Sequence, residues 1–331
     1  MNDRARIVLE GVDRYHVMEA MFECVRVVLN YRGENYSPAY IQGISGAAFR
    51  IGGICPCAPT CDTAMDPQSL LKLLGYEFTH LPLDTEGLDL QTEGLTVIAR
   101  IKDEIRAGRP AIVWHAFTNA EWDVVAGFDD ENHTFLGRGS YAGLDGYAAA
   151  DQKRNLTGVE ICPVFGAILV GDKSGPFDAR AAEIAALQEA VRHARSTEGQ
   201  DQLGGEKWVM LHGLLCYDRW VNDWANPQKK RTAGDSYCLG VYRSTHRAAA
   251  GFMRELGPQY PQAKGHFERA AASFVAEADA LDQCDPLLGW GSPEGPDPDR
   301  NARLVPLLRQ ARDGYARAIG EIEAALAVYK A

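Results

Sequence analysis

The strongest constraint on this chain is a change of periodicity near Gly171–Pro176. Before it, stretches of helical spacing alternate with short apolar runs of strand length. After it, only helical spacing recurs. At about 150 residues per domain, a chain of 331 residues divides into two. The switch predicts how: an α+β domain over 1–173, then an all-helical domain over 174–331.

In the first half, Met18, Met21, Phe22, Val25 and Leu29 share one face of a predicted helix over 17–30, which Gly33 ends. Ser37-Pro38 starts a short helix toward Gly43, and Asp66-Pro67 starts another that stops at Gly75. A strand is expected over 76–81, then a helix capped by Thr92 and closed by Gly108. Further strands are expected over 110–114, 121–128, 133–136 and 161–170, with a turn at Asp129–Asn132 and a Gly- and Ala-rich loop over 139–150. The second half predicts helices over 178–195, 206–225, 236–256, 262–282 and 301–329, and no strand beyond about 175.

Charge narrows the function classes. Asp and Glu number 45 against 34 Lys and Arg, a net charge of −11. Nucleic-acid binding by clustered cations is not expected, since the densest basic run is only Lys229-Lys230-Arg231. No apolar run approaches the ~20 residues needed to span a bilayer, so no membrane partner is expected. The start, Met1 to Arg6, leads into no apolar signal core, so a cytoplasmic location is the expectation. Its eight cysteines are then expected to stay reduced. The glycine-rich stretches lack the order of a nucleotide loop, and no GxSxG elbow occurs.

Gly108-Arg109-Pro110-Ala111-Ile112-Val113 followed by Val124-Val125-Ala126-Gly127-Phe128-Asp129 resembles the paired strands of a papain-like cysteine-peptidase fold, in particular the bacteriocin-leader peptidase-like group. Ile44-Ser45-Gly46-Ala47-Ala48-Phe49-Arg50, with His212-Gly213-Leu214, Tyr217-Asp218 and Trp220, is similar to the butirosin biosynthesis protein H N-terminal family, whose members often carry a helical C-terminal half. The resemblance implies a papain-like N-terminal domain. It also implies a nucleophilic cysteine at the start of the first helix, a histidine at the start of the VVxGxD strand and an acid or amide on the return strand. The activity it implies is acyl transfer from a carrier protein to an amine.

This chain departs from the pattern at each catalytic position. The cysteine position falls on Glu19 or Ala20, the histidine position on Glu121, and the return-strand acid position on Arg138 or Gly139. Cys24 lies further down the helix, where activating N–H groups are lacking, and reads as structural. Carboxylates stand in their place. His16, Glu19 and Glu23 are spaced to share one helix face. Glu121 and Asp123 alternate to one side of a strand. In a papain-like fold His16, Glu19 and Glu121 would converge, either as acid–base catalysts with one raised carboxyl pKa or as ligands of a divalent metal. Plain solvated faces are the competing reading.

Glu23, His115, Asp123, His212 and Tyr217 are candidates for contacting substrate, each also readable as structural. Cys55, Cys57 and Cys61 form a three-thiol segment that reads as buried thiols, a soft-metal or redox site, or a displaced nucleophile. Arg243, His246 and Arg247 make one turn of cations, readable as an anion contact or a solvated face. The sequence requires no cofactor, and a homo-oligomer is compatible with it. Two functions follow as expectations. The first is a noncanonical papain-like enzyme acting in acyl transfer or amide hydrolysis on a small molecule or carrier-bound acyl group. The second is an inactive papain-like fold that binds a small ligand or peptide, with metal dependence an option for either.

Overall fold

The computed structural model describes residues 5–52, 65–84, 86–157, 164–197, 200–201 and 209–330. The chain is α+β, and its described residues fall into two compact units. One lies within 1–38 and 65–178, the other within 39–64 and 179–331.

The first unit is a seven-stranded antiparallel sheet with helices packed on it. Strands β2 (Tyr76–Leu81), β7 (Ala167–Lys173), β3 (Ala111–Trp114), β4 (Trp122–Asp129), β5 (Thr134–Arg138) and β6 (Ala148–Asp151) lie in that order. Short β1 (Arg6–Val8) pairs with the far end of β4, placing Val8 opposite Gly127. β3 and β4 pair with Val113 opposite Asp123 and Trp114 opposite Trp122. The helices are α1 (Ala20–Tyr31), α3 (Pro67–Leu73) and α4 (Leu90–Arg106), and α1 packs against β3, β4 and α3. Its apolar face is why: Phe22, Val25, Val28 and Leu29 are fully buried.

Several local expectations change. The helix expected from residue 17 begins at Ala20. Asp89, not Thr92, caps α4. The Asp89 carboxylate accepts the Gln91 N–H, and the Thr92 hydroxyl donates to it. The run Ala148–Asp151, expected as loop, is a strand because β5 supplies the pairing that alanine's weak strand preference does not. β1 is too short to show any periodicity.

The second unit is helical: α5 (Ala179–Ala194), α6 (Gly213–Ala225), α7 (Ala233–Leu256), α8 (Lys264–Leu288) and α9 (Pro298–Lys330). Against the expectation of no strand, Gln200–Asp201 and Val209–Met210 pair as β8 and β9. Helix α2 (Pro38–Ile44) and the 3-10 turn Ala47–Phe49 also belong here from Ala39 onward. A Cβ on Gly43 would overlap the Phe252 ring of α7, so only glycine allows α2 this close. Phe49 lies 6.0 Å from Phe252 and 5.9 Å from Phe274 of α8.

Over residues 50–52 the buried backbone joins no extended ladder, so its polar groups need other partners. Side chains supply most of them. The Tyr315 hydroxyl donates to the Phe49 carbonyl at 2.8 Å, His246 Nε2 lies 3.1 Å from the Arg50 carbonyl, and Ile51 N–H donates to His193 Nε2 at 3.0 Å. Overpacking at Gly43 is therefore expected to unseat the segment. Gly43→Ala should cost about 1–3 kcal/mol in urea unfolding. The cost should shrink in a Phe252→Leu background, and additive losses would contradict the contact.

Candidate functional site

The start of α1 carries the most unusual local chemistry. Glu19 is the N-cap in extended conformation, and its side chain curls back onto the helix. One carboxylate oxygen accepts the Met21 N–H at 2.8 Å and the other accepts the Phe22 N–H at 3.1 Å. The residue is 1% exposed. A helix N-terminus presents unsatisfied N–H groups and a positive end, which attract an anion. Here the chain's own carboxylate fills that role.

Ala20, the other candidate cysteine position, is buried and carries no reactive group. Cys24 is buried, and its thiol donates to the Met21 carbonyl at 3.1 Å. Burial, joined by the charges of Glu19, Asp123 and Glu23, holds that thiol well above its ordinary pKa, so it is protonated and inert.

Glu23 and Arg26 form a buried ion pair at 2.7 Å. Glu23 also accepts the His16 N–H at 2.7 Å, while Arg26 reaches Asp13 and the Arg14 carbonyl, each at 2.8 Å. Together they fasten segment 13–16 to α1. The expected face of His16, Glu19 and Glu23 does not form, because His16 precedes the helix. Its ring faces outward, 40% exposed and 3.2 Å from Asp13.

The β3–β4 connection brings the second group of candidates. His115 and Ala120 both adopt left-handed backbone angles, φ 57° and 58°, uncommon for residues with a Cβ. Two devices hold this loop. His115 Nδ1 accepts the Ala120 N–H at 3.0 Å, and the His115 N–H donates to the Glu121 carbonyl at 2.8 Å. The Asp123 carboxylate accepts the Phe117 N–H at 2.6 Å, the Thr118 N–H at 2.9 Å and the Thr118 hydroxyl at 2.5 Å.

Burial pushes Asp123 up from 3.8 to about 6, although Thr118, Phe117 and Arg154 all favour its charged form. Burial, with Arg154, depresses His115 from 6.5 to about 4, so its ring is neutral at pH 7.

Glu121 is buried. It meets the other carboxylates around Tyr15, whose hydroxyl donates to the Trp122 carbonyl at 2.8 Å. Burial raises the Tyr15 pKa first; Cys24, Asp123, Glu23 and Glu121 raise it further. Glu19, Glu23 and Asp123 likewise act together on Cys24. Glu23 and Asp123 thus act on both groups, Glu121 on Tyr15 and Glu19 on Cys24.

The return strand contributes no acid. Arg138 ties the 139–147 loop to the N-terminal segment, donating to Val12 O at 3.2 Å and Gly146 O at 2.7 Å, with its guanidinium 4.4 Å from the Tyr147 ring centre. At Gly139 a Cβ would overlap Asp123 Oδ1, so the Asp123 carboxylate fills the space over that return-strand position.

Among the described residues no group of three or more His, Cys, Asp or Glu is placed to hold a metal ion. Cys55, Cys57 and Cys61 lie outside the described residues. No helix among the described residues is long and apolar enough to cross a membrane.

The remaining candidates lie in the helical unit. His212, expected within a helix, is the N-cap residue of α6, its ring 5.2 Å from His193. Tyr217 is fully buried and donates to Glu277. His246 is buried as well, 2.6 Å from the same Glu277 oxygen, so it does not share the surface of Arg243 and Arg247. Those arginines pair instead with Asp285 and Asp279. Sequence reasoning missed the Tyr217–Glu277–His246 network, the Asp13–Arg26 pair and the Thr118 contact to Asp123. Partners far apart in sequence leave no spacing signal. Only Thr118 and Asp123, five residues apart across a strand turn, were near enough to suggest a loop clamp.

No family model matches this chain, and no curated protein matches it significantly.

Two measurements check this geometry. Glu19→Ala leaves two helix N–H groups uncapped and should lower stability by about 1–2 kcal/mol, with Glu19→Ser recovering part of the loss. Asp123 is raised in the fold, so its contribution is full below pH 3.8 and is lost as pH rises through about 6. The stability of the wild type relative to Asp123→Asn should therefore fall by about 2 kcal/mol between pH 4 and 6. A difference that stays flat across that range would show that Asp123 does not titrate there.

Proposed function

We propose that the α+β unit is a papain-like domain in which a helix-capping carboxylate replaces the nucleophilic thiol, and that the protein binds a small molecule or peptide without thiol chemistry. The observation that carries this reading is the double capping by Glu19. In a thiol enzyme of this design the positive end of the helix supports a thiolate at its start. Here those N–H groups are engaged by a fixed carboxylate, and Cys24 is buried and protonated. The fold assignment is supported by α1 packed against the antiparallel β3–β4 pair, with β5 as the return strand.

One observation favours the second reading, an enzyme for acyl transfer or amide hydrolysis with carboxylate acid–base groups. Asp123, at about 6, exchanges its proton near neutrality in the neighbourhood of Glu121. Glu121 would be the acid or base and Glu19 its partner. His16 has no evident role in that scheme, its ring lying outside on Asp13.

A thermal-shift screen against amines, amino acids, short peptides and acyl donors, run in parallel with turnover assays, separates the two. Binding predicts ligand-dependent stabilisation with no product from thioester or amide substrates. Turnover that is lost in a folded Glu121→Gln variant would replace the binding reading with the enzymatic one.

A further inference from the structure

The antiparallel sheet of the first unit ends on β6, and among the described residues no strand pairs with its outer edge. The Gln152 N–H donates to the His133 carbonyl at 2.9 Å, and bonded pairs alternate along an antiparallel ladder. Ala148 and Ala150 therefore turn their backbone groups toward β5, while Ala149 and Asp151 turn theirs outward. Both of these outward residues are exposed. An outer strand with open N–H and C=O groups is a template for another strand.

Sheets protect such edges with bulges, charges or proline. The opposite edge, β2, carries two of these devices: a register shift between Tyr76 and Phe78, and exposed Glu77. Along Ala148-Ala149-Ala150, β6 carries none of them. Three of the five large apolar side chains exposed among the described residues flank it. Tyr141 and Leu144 belong to the loop that leads into β6, and Leu95 lines a cavity with Asp151 and Lys153 at its far end. Exposed apolar groups gathered around an open edge mark a contact surface.

We propose that β6 pairs antiparallel with β6 of a second copy of this chain, about a two-fold axis at Ala149. A second copy is favoured over a foreign strand because the two ends of β6 complement each other. With Ala149 opposite its own counterpart, Tyr147 lies opposite Asp151 of the second copy. By the same count Leu144 and Asp145, ahead of the strand, reach the far end of the other β6, where Leu95 and Lys153 stand. An apolar contact and an ion pair thus form on each side of the axis, and the two Asp151 carboxylates stay apart. One such pairing uses the open edge of both copies, so assembly stops at two. This holds whatever the carboxylate cluster binds.

Sedimentation velocity of the full chain from about 1 to 300 µM, the range of a small reversible interface, is expected to show monomer converting to dimer. Ala149→Lys sets like charges opposite each other on the axis, and Ala149→Pro removes an N–H that β5 does not use. Both variants should fold, as circular dichroism reads, and should stay monomeric throughout. Residues paired in this way have Cα atoms about 5.5 Å apart, within disulfide reach. Oxidised Ala149→Cys should therefore link two copies through position 149, a link the wild type does not form. A wild type that stays monomeric to the top of the range overturns the proposal. So does a dimer that persists in both folded variants, or one that position 149 does not cross-link.

Discussion

The first unit depends on a carboxylate closing the N-terminus of a buried helix. α1 lies against the sheet with its central residues at zero exposure, so water cannot satisfy the N–H groups of its first turn. Glu19 meets that need from within, with both oxygens engaged. The same act determines the electrostatics nearby. Burial keeps the Cys24 thiol protonated, and the negative charge that caps the helix start reinforces it.

Asp123 is to the β3–β4 loop what Glu19 is to α1. Three donors converge on it, from Phe117 and Thr118, and they stabilise a loop bounded by two left-handed residues. Yet burial outweighs those donors and holds the carboxyl at about 6, above its ordinary value. The loop is thus held by a group that would be more comfortable protonated. This arrangement also explains a glycine: any side chain at 139 would compete with the Asp123 carboxylate for the same space.

How much of this was legible follows from the range of the interactions. The α+β character, the change to helix near 175 and the strand over Tyr76–Leu81 are written in local spacing, and they appear where spacing predicts them. Glu19 and Glu121 could be picked out because they fall where the resembled family places its cysteine and histidine. Their environment could not, because Glu19 as a cap departs from the short polar side chains that usually signal one. His16 was misplaced for a related reason. Its spacing from Glu19 and Glu23 suits a helix, but the cap at Glu19 starts the helix after it.

Residues 39–52 mark the limit of reading in chain order. Their helix signal at Ser37-Pro38 is plain, yet nothing local says that they pack with helices formed from residues beyond 179. That allegiance is set by Gly43 against Phe252 and by polar contacts from His193, His246 and Tyr315, partners at least 140 residues away in sequence. Four of the eight cysteines lie buried in the described residues, and each is unsuited to nucleophilic work by burial alone. A thiol is made reactive by exposure and nearby positive charge. In the first unit the helix end that offers positive charge is covered by Glu19, and the thiol nearest to it is shut in the core.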